Sequence, residues 1–432
     1  MHGRLGKRLG ALVVYALVSV WTLSAQTDGT YVGYSPYSVY GIGNLHSQGT
    51  AWNKGMGGIG IATRNKRFIN TMNPASVTAR DSLSFMTDFG ISGKFSYYRE
   101  GDKSGYNPSF NLENFVISFP IWKNTAFMAG LTPLSEVGYK ISDTRTDYYS
   151  TSENFYSGGN GGMYQVFAAV GVTLWERLSL GVQGMFNFGS ISKSSSTTYA
   201  DDSHIRFSSG DSLQVNNLGV KFGLQYEHPL STTHSLTIGG TYKLSTPASG
   251  HRIHYLSKGS LNRTRTENTI ADDNVRLGDE IGAGISLRKS DVWAAEINYT
   301  RTSWENSGFE SVPGFSNTGM DGTFASSTGQ AVRAGFEFTP NRNDIRYFFR
   351  RCTYRGGAYF DSSYYTVNGE HVNSIGITLG MTIPVFRWYN GVTIGLDMGR
   401  RGLASSQIKE TYAGFNMSLN MFDIWFKKPR YE

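Results

Sequence analysis

From residue 82 almost to the C-terminus the chain alternates apolar and polar positions with a period of two. In the first such stretch Leu83, Phe85, Phe89, Ile91, Phe95 and Tyr97 share one face, and Ser82, Ser84, Asp88, Ser92, Lys94 and Ser96 share the other. That is the pattern of a strand with one apolar and one polar side. It runs well past the roughly 5–6 residues usual in a soluble sheet. The same test predicts further strands near 112–120, 125–139, 162–175, 178–193, 212–227, 234–246, 276–288, 292–303, 330–340, 351–364, 371–384, 390–400 and 409–421. The total is about fourteen, an even number of the kind that closes a bacterial membrane barrel. Most long connections (99–111, 140–161, 194–211, 247–275, 304–329) alternate with short ones (121–124, 176–177, 228–233, 289–291), as barrels with long outer loops and short periplasmic turns require. Asn368-Gly369 is a tight-hairpin signal. The 341–350 connection breaks the alternation and has room for a short helix. The expected fold is all-β: a transmembrane antiparallel β-barrel of about 14 strands with both termini on the periplasmic side.

Composition changes the picture only by excluding alternatives. The 432 residues include 52 glycines, 14% aromatics and 17% charged residues, against about 25% charged in an ordinary soluble domain. No stretch after the N-terminus approaches the roughly 18 unbroken apolar residues of a membrane helix. Arg4, Lys7 and Arg8 followed by the apolar run Leu9 to Leu23 and the small pair Ser24-Ala25 read as a secretory signal cut near Gln26. The expected division is therefore signal peptide 1–25, N-terminal plug or hatch segment 26–81, barrel 82–426 and periplasmic tail 427–432, in a bacterial outer membrane. The formal charge of +7 falls to +4 without the three basic residues of the signal, too small a surplus to imply nucleic acid. The single cysteine, Cys352, excludes an internal disulfide and a cysteine-based metal cluster.

Before the strands lies an aperiodic stretch, Gly55-Met56-Gly57-Gly58-Ile59-Gly60-Ile61-Ala62, then a polar run ending in Asn73-Pro74-Ala75. Clustered glycines allow tight turns and close backbone approach, and Pro74 pushes Asn73 out of the helical region. The stretch lacks the Lys-Ser/Thr and the surrounding βαβ unit of a phosphate-binding loop. It is expected to plug the barrel, with Gly57, Gly58, Gly60, Asn73, Pro74 and Ala75 as its gating elements.

The combination of these glycines, Ala62 and Asn73-Pro74-Ala75 just before the first strand resembles the N-terminal hatch of the FadL-like outer-membrane transporters of hydrophobic compounds. Ser35-Pro36-Tyr37-Ser38, Tyr40-Gly41-Ile42-Gly43 and the C-terminal Asn420-Met421-Phe422-Asp423-Ile424-Trp425-Phe426-Lys427-Lys428 look like the branch found in Bacteroidota. The resemblance implies a hatch that blocks the lumen, passive uptake of a small hydrophobic, fatty-acid-like molecule, and sideways exit through a gap at a kinked third strand. Here that strand contains Gly130-Leu131-Thr132-Pro133, so Pro133 is the candidate for a lateral gap; a proline inside a strand removes a ladder hydrogen bond and marks an edge or bulge. The same shape allows a second reading, a non-transporting barrel acting as scaffold or shuttle in a protein secretion or assembly complex, with polar loops for partners.

Other candidate chemistry is weak. His251 and His254 read as a solvated loop, since their spacing has no helical frame to converge on a metal. Asp201-Asp202 and Asp272-Asp273 could bridge lipopolysaccharide through divalent ions, but no full oxygen-ligand loop is present. No Gly-x-Ser-x-Gly or His-Glu-x-x-His occurs, so the chain is read as a non-enzyme without a cofactor. Its expected surroundings are outer-membrane lipid and lipopolysaccharide. Tyr97, Tyr98, Trp122, Trp175, Tyr226, Trp293, Trp304, Trp388 and Tyr389 suit interfacial girdles.

Overall fold

The computed structural model describes residues 35–81, 83–146, 152–199, 207–258, 262–269, 275–312, 323–385, 390–403 and 408–425. The expected signal segment, the tail 427–432, both acidic pairs, Trp388 and Tyr389 lie outside them. Fourteen antiparallel staves close on themselves. In chain order they are β1 Ser84–Glu100, β2 Lys103–Trp122, β3 Thr125–Thr146, β4 Ser152–Leu174, β5 Leu178–Tyr199 and β6 Phe207–Pro229. Next come β7 (His234–Lys243 and Thr246–Lys258), β8 (Asn262–Thr269, Arg276–Leu277 and Asp279–Lys289), β9 Trp293–Ser303 and β10 (Phe324–Ser326 and Thr328–Phe338). Last are β11 Thr353–Val367, β12 Glu370–Pro384, β13 Gly391–Gly402 and β14 Lys409–Ile424. β14 closes on β1 from Lys409↔Arg99 to Ile424↔Ser84.

The period-two pattern has the consequence it predicts. Along β12 Ile375, Ile377 and Leu379 are exposed on the outer wall while Ser374 and Thr378 are buried inside. On β5 Val182 and Phe186 point out and Gln183 and Asn187 point in. An apolar exterior and polar interior suit a barrel solvated by lipid, in which every backbone group must be paired within the wall. Asn368 (φ 52°) and Gly369 (φ 82°) form the expected tight turn between β11 and β12.

The strands outrun the alternation at one end. β3 to β6 have 22, 23, 22 and 23 residues, where about 9–11 cross a bilayer. Much of the expected loops 140–161, 194–211 and 247–275 is therefore ladder; Asn262–Thr269 pairs with His251–Lys258. Beyond the lipid neither face has to be apolar, so serine, threonine and arginine occupy both and the signal fades while the hydrogen bonding continues. His251 and His254 accordingly sit on β7 rather than in a loop, and His254 Nδ1 lies 3.0 Å from Asp211 Oδ1. Trp122 and Trp175 are exposed at the short-turn end, but Trp304, expected in a girdle, is buried and packs 4.7 Å from Tyr364. The reason is parity: Trp304 continues the inward-facing side of β9 after Asn298, Thr300 and Thr302, while Ile297 and Tyr299 face out.

Candidate functional site

The N-terminal residues 35–81 run through the lumen and touch most of the wall. Ser35 to Gln48, with a 3-10 turn at Pro36–Val39 and a two-residue strand at Asn44–Leu45, occupy the long-strand half. A helical turn, Ala51–Lys54, leads into the glycine-rich stretch, which crosses the short-turn half and ends in the 3-10 turn Pro74–Ala79.

The sequence-predicted residues meet here as parts of one fit. Gly57 and Gly58 have φ of +76° and +74°, a region that costs other residues roughly 1–2 kcal/mol. A Cβ on Gly60 would meet Asn70 Oδ1 at 2.7 Å and Met72 Cγ at 2.8 Å. Asn73 caps the final turn: its Oδ1 accepts from the Ala75 amide at 3.0 Å. Its Nδ2 donates to Ile61 O at 2.7 Å, Leu224 O at 3.1 Å and Gly240 O at 3.3 Å. The triplet thus couples a helix cap to the β6 and β7 wall, with Pro74 at the first helical position where its missing N–H costs nothing. The wall answers with glycines of its own. A Cβ on Gly357 would lie 2.6 Å from Met56 C, one on Gly223 2.7 Å from Pro74 Cδ, and one on Gly380 3.0 Å from Gly55 Cα.

Sequence reasoning missed the polar clamps. Lys54 pairs with Glu113 of β2, both nearly buried. Trp52 Nε1 donates to Glu337 Oε2 at 2.7 Å, and Arg355 Nε reaches the same oxygen at 2.9 Å. The Arg355 guanidinium also lies over Phe68 at 4.7 Å, which stacks on Trp52 at 5.6 Å. Arg64 Nε donates to Glu227 Oε2 at 3.1 Å and its Nη1 to Ser179 Oγ at 2.7 Å. Glu296 accepts from the Ala62 amide and from Thr63 Oγ1, and Arg67 pairs with Asp291. In the upper half Lys193 Nζ donates to Val39 O at 2.6 Å, Ser35 Oγ to Glu410 Oε2 at 2.7 Å, and Tyr364 and Tyr365 hydroxyls to Gly43 O and Tyr37 O, each at 2.8 Å. Tyr40, stacked on Phe324 at 6.1 Å, completes an aromatic lid. The available signal was a charge at an inward-facing strand position in a charge-poor chain; the pairing partner is far away in sequence and could not be read.

Glu113 owes its direction to a bulge. Gly90 pairs with Asn114 and Ile91 with Leu112, leaving Glu113 as the extra residue; a bulge re-aims a side chain in this way. Close by, the β2–β3 ladder ends at Phe115↔Leu131. Above that point β3 keeps its β4 partner, with a register shift between Pro133 and Ser135. On its other side Asn44 and Leu45 pair with Glu136 and Ser135, His46 N donates to Leu134 O and Ser35 N to Gly138 O. Pro133 is buried beside this seam, its carbonyl 3.4 Å from Gln48 Nε2. Between the two halves of the lumen segment a cavity of about 370 Å³ remains, bordered by His46, Glu113, Glu136, Lys221, Glu280 and Arg333 among others. Its lining combines these charges with apolar surface from Met72, Leu134, Phe167 and Met185. Among the described residues no group of three or more histidine, cysteine, aspartate or glutamate side chains is placed to hold a metal.

A fourteen-stave barrel with an apolar outer face and its N-terminal segment in the lumen defines the fold class. The fold is shared with the P. putida toluene transporter TodX (TM-score 0.58, 11% identity, covering 89% of this chain and 100% of that one). It is also shared with a Pseudomonas aeruginosa FadL homologue (0.56, 12%, 89% and 100%) and the Ralstonia pickettii toluene transporter TbuX (0.53, 11%, 87% and 98%). A search of curated proteins finds no sequence match. Within the class the particular family is set by sequence: the BamG family model matches residues 7–432, and the chain belongs to that family.

Proposed function

We propose that this protein is an outer-membrane barrel whose N-terminal segment is a fixed stopper, and that it works as a non-transporting scaffold subunit of an outer-membrane protein secretion or assembly complex. The observation that carries the reading is the set of polar contacts between stopper and wall: the buried Lys54–Glu113 pair, Trp52 on the wall pair Glu337–Arg355, the half-buried Arg64–Glu227 pair, and Glu296 with Ala62 and Thr63. Opening the lumen would strand several of these groups at once, and breaking one buried pair costs about 3–5 kcal/mol. What remains available for work is the outer surface, including the strand extensions of β3 to β6 that stand clear of the lipid belt. Both expected partners of this reading, lipopolysaccharide and protein, would be met there.

A second reading, passive uptake of small hydrophobic molecules, is favoured by the seam above Phe115↔Leu131 beside Pro133 and by the fold shared with transporters of toluene. Purification in mild detergent with lipid extraction separates the two. Stoichiometric protein partners and no co-purified apolar ligand support the scaffold; a bound lipid-like ligand, with apolar dye uptake into proteoliposomes, overturns it in favour of transport.

A further inference from the structure

The connection between β10 and β11 is the long one at the end where the other turns are short. It contains Asn341 to Cys352, with a helical turn at Phe348–Arg351. Its apolar side chains do not pack inward: Ile345 is 100% exposed and Phe349 70%, with Tyr347 and Phe348 also exposed. Four arginines, Arg342, Arg346, Arg350 and Arg351, share the segment with one acid, Asp344. Arginine and aromatic groups are stacked: Arg346 and Arg350 lie 5.3 Å and 4.9 Å from the Tyr347 ring, and Arg351 lies 5.1 Å from that of Phe348. Such stacking engages the guanidinium faces and leaves their N–H edges for acceptors. Asp344 accepts from the Arg346 and Tyr347 amides at 2.8 Å and 2.7 Å, and its Oδ2 lies 3.5 Å from Arg350 Nη1, so one carboxylate faces four guanidiniums.

The direction of the segment identifies what it meets. Tyr354 Oη donates to Phe349 O at 3.0 Å, and Tyr354 stands on the outer, lipid-facing side of β11, opposite Phe338 of β10, which itself lies opposite Trp293 of β9. Trp293, Phe338 and Tyr354 therefore form one row across the outer wall at the short-turn end. The helical turn hangs from that row, so its exposed aromatic side chains continue the lipid-facing belt. Aromatic and arginine side chains together suit the headgroup layer, where rings sit among acyl ends and guanidiniums reach phosphate.

We infer that Asn341–Arg351 is a membrane-surface anchor: Ile345, Tyr347, Phe348 and Phe349 enter the periplasmic leaflet, and the arginines bind phospholipid phosphates. The inference rests on the outer-membrane reading of the barrel. It predicts an element that fixes the barrel's height and tilt on one side, between β10 and β11.

The test uses the full-length barrel in vesicles of phosphatidylcholine with phosphatidylglycerol. An environment-sensitive bimane is attached at I345C in a C352A background, with T232C in the β6–β7 turn and I377C on the mid-wall as references. The anchor predicts blue-shifted emission at 345, loss of intensity to shallow-chain nitroxide lipids, and protection from iodide. T232C should show the reverse, and I377C should be quenched by deep-chain nitroxides. A water-like, iodide-quenched label at 345 with I377C quenched by lipid overturns the anchor alone. A label at 345 that is water-like in vesicles but shielded in native membranes assigns the surface to a protein partner and also overturns it. Failure of I377C to meet lipid overturns the membrane reading itself. R346E/R350E should shift the 345 emission toward that of water in anionic vesicles; no shift overturns the phosphate contact.

Discussion

Substituting Lys54 by methionine isolates the contact between the lumen segment and the bulge on β2. Lys54 and Glu113 retain side-chain exposures of 10% and 4%, so removing the cation leaves a carboxylate with little access to water. Orphaning one member of a buried pair costs about 3–5 kcal/mol. At about 1.4 kcal/mol per factor of ten, the undocked population of the segment should rise roughly 10²–10⁴-fold. The double variant Lys54→Met/Glu113→Leu removes both charges and keeps apolar bulk, and such replacements of buried pairs are often neutral or stabilising. It should return most of the lost protection. The measurement is amide hydrogen exchange over residues 50–62 in detergent or nanodiscs, with planar-bilayer conductance as a second readout. A single variant whose exchange changes less than about tenfold, or a double variant no better protected than the single, would refute the claim that this pair holds the stopper in place.

Four further outcomes are expected. Asn73→Ala removes a cap worth about 0.5–2 kcal/mol together with three donated contacts, and should accelerate exchange over residues 60–79 without lowering the heat-modifiability of the barrel on gels. Gly357→Val places carbon against Met56 and should loosen the segment by about 1–3 kcal/mol, whereas Gly356→Ala, whose Cβ finds only Thr378 O at 3.9 Å, should be silent in the same exchange experiment. Pro133→Ala should leave apolar dye uptake by proteoliposomes at the level of the parent protein; a clear gain or loss would favour transport through the seam. The Tyr347 amide, the largest influence, holds Asp344 below the ordinary carboxylate range, with help from the Arg346 amide and Arg350. Its contribution to the turn is therefore complete above the unfolded value of about 3.9 and is lost as pH falls through the lower folded value. Protection of the Tyr347 amide should persist from neutral pH to about 4 and decline below it, and a decline already at pH 6 would contradict the assignment.

Much of the wall was legible because a membrane barrel repeats one local rule. Each residue of a lipid-crossing strand must face either oil or the interior, so Ile375, Ile377 and Leu379 declare the outer side without reference to any distant residue. Where the rule lapses, legibility lapses with it: the ladder around His251 and His254 looked like loop because both of its faces are wet. The segment from Gly55 to Ala75 was recognisable as an interruption, and its glycines and Asn73-Pro74-Ala75 as conformationally special, since those are local properties of backbone and side chain.

By itself, then, the sequence determined the stave pattern, the lipid-facing surface and the place where regular structure gives way to the lumen segment, all set by interactions between near neighbours or with solvent. The tertiary structure decided which wall residue each polar group of that segment meets: Lys54 with Glu113, Trp52 with Glu337 and Arg355, Arg64 with Glu227, Asn73 with Leu224 and Gly240. It also decided that the β10–β11 connection turns out under Tyr354 instead of into the lumen. These are contacts between residues separated along the chain and brought together only by barrel closure, and no local period encodes them.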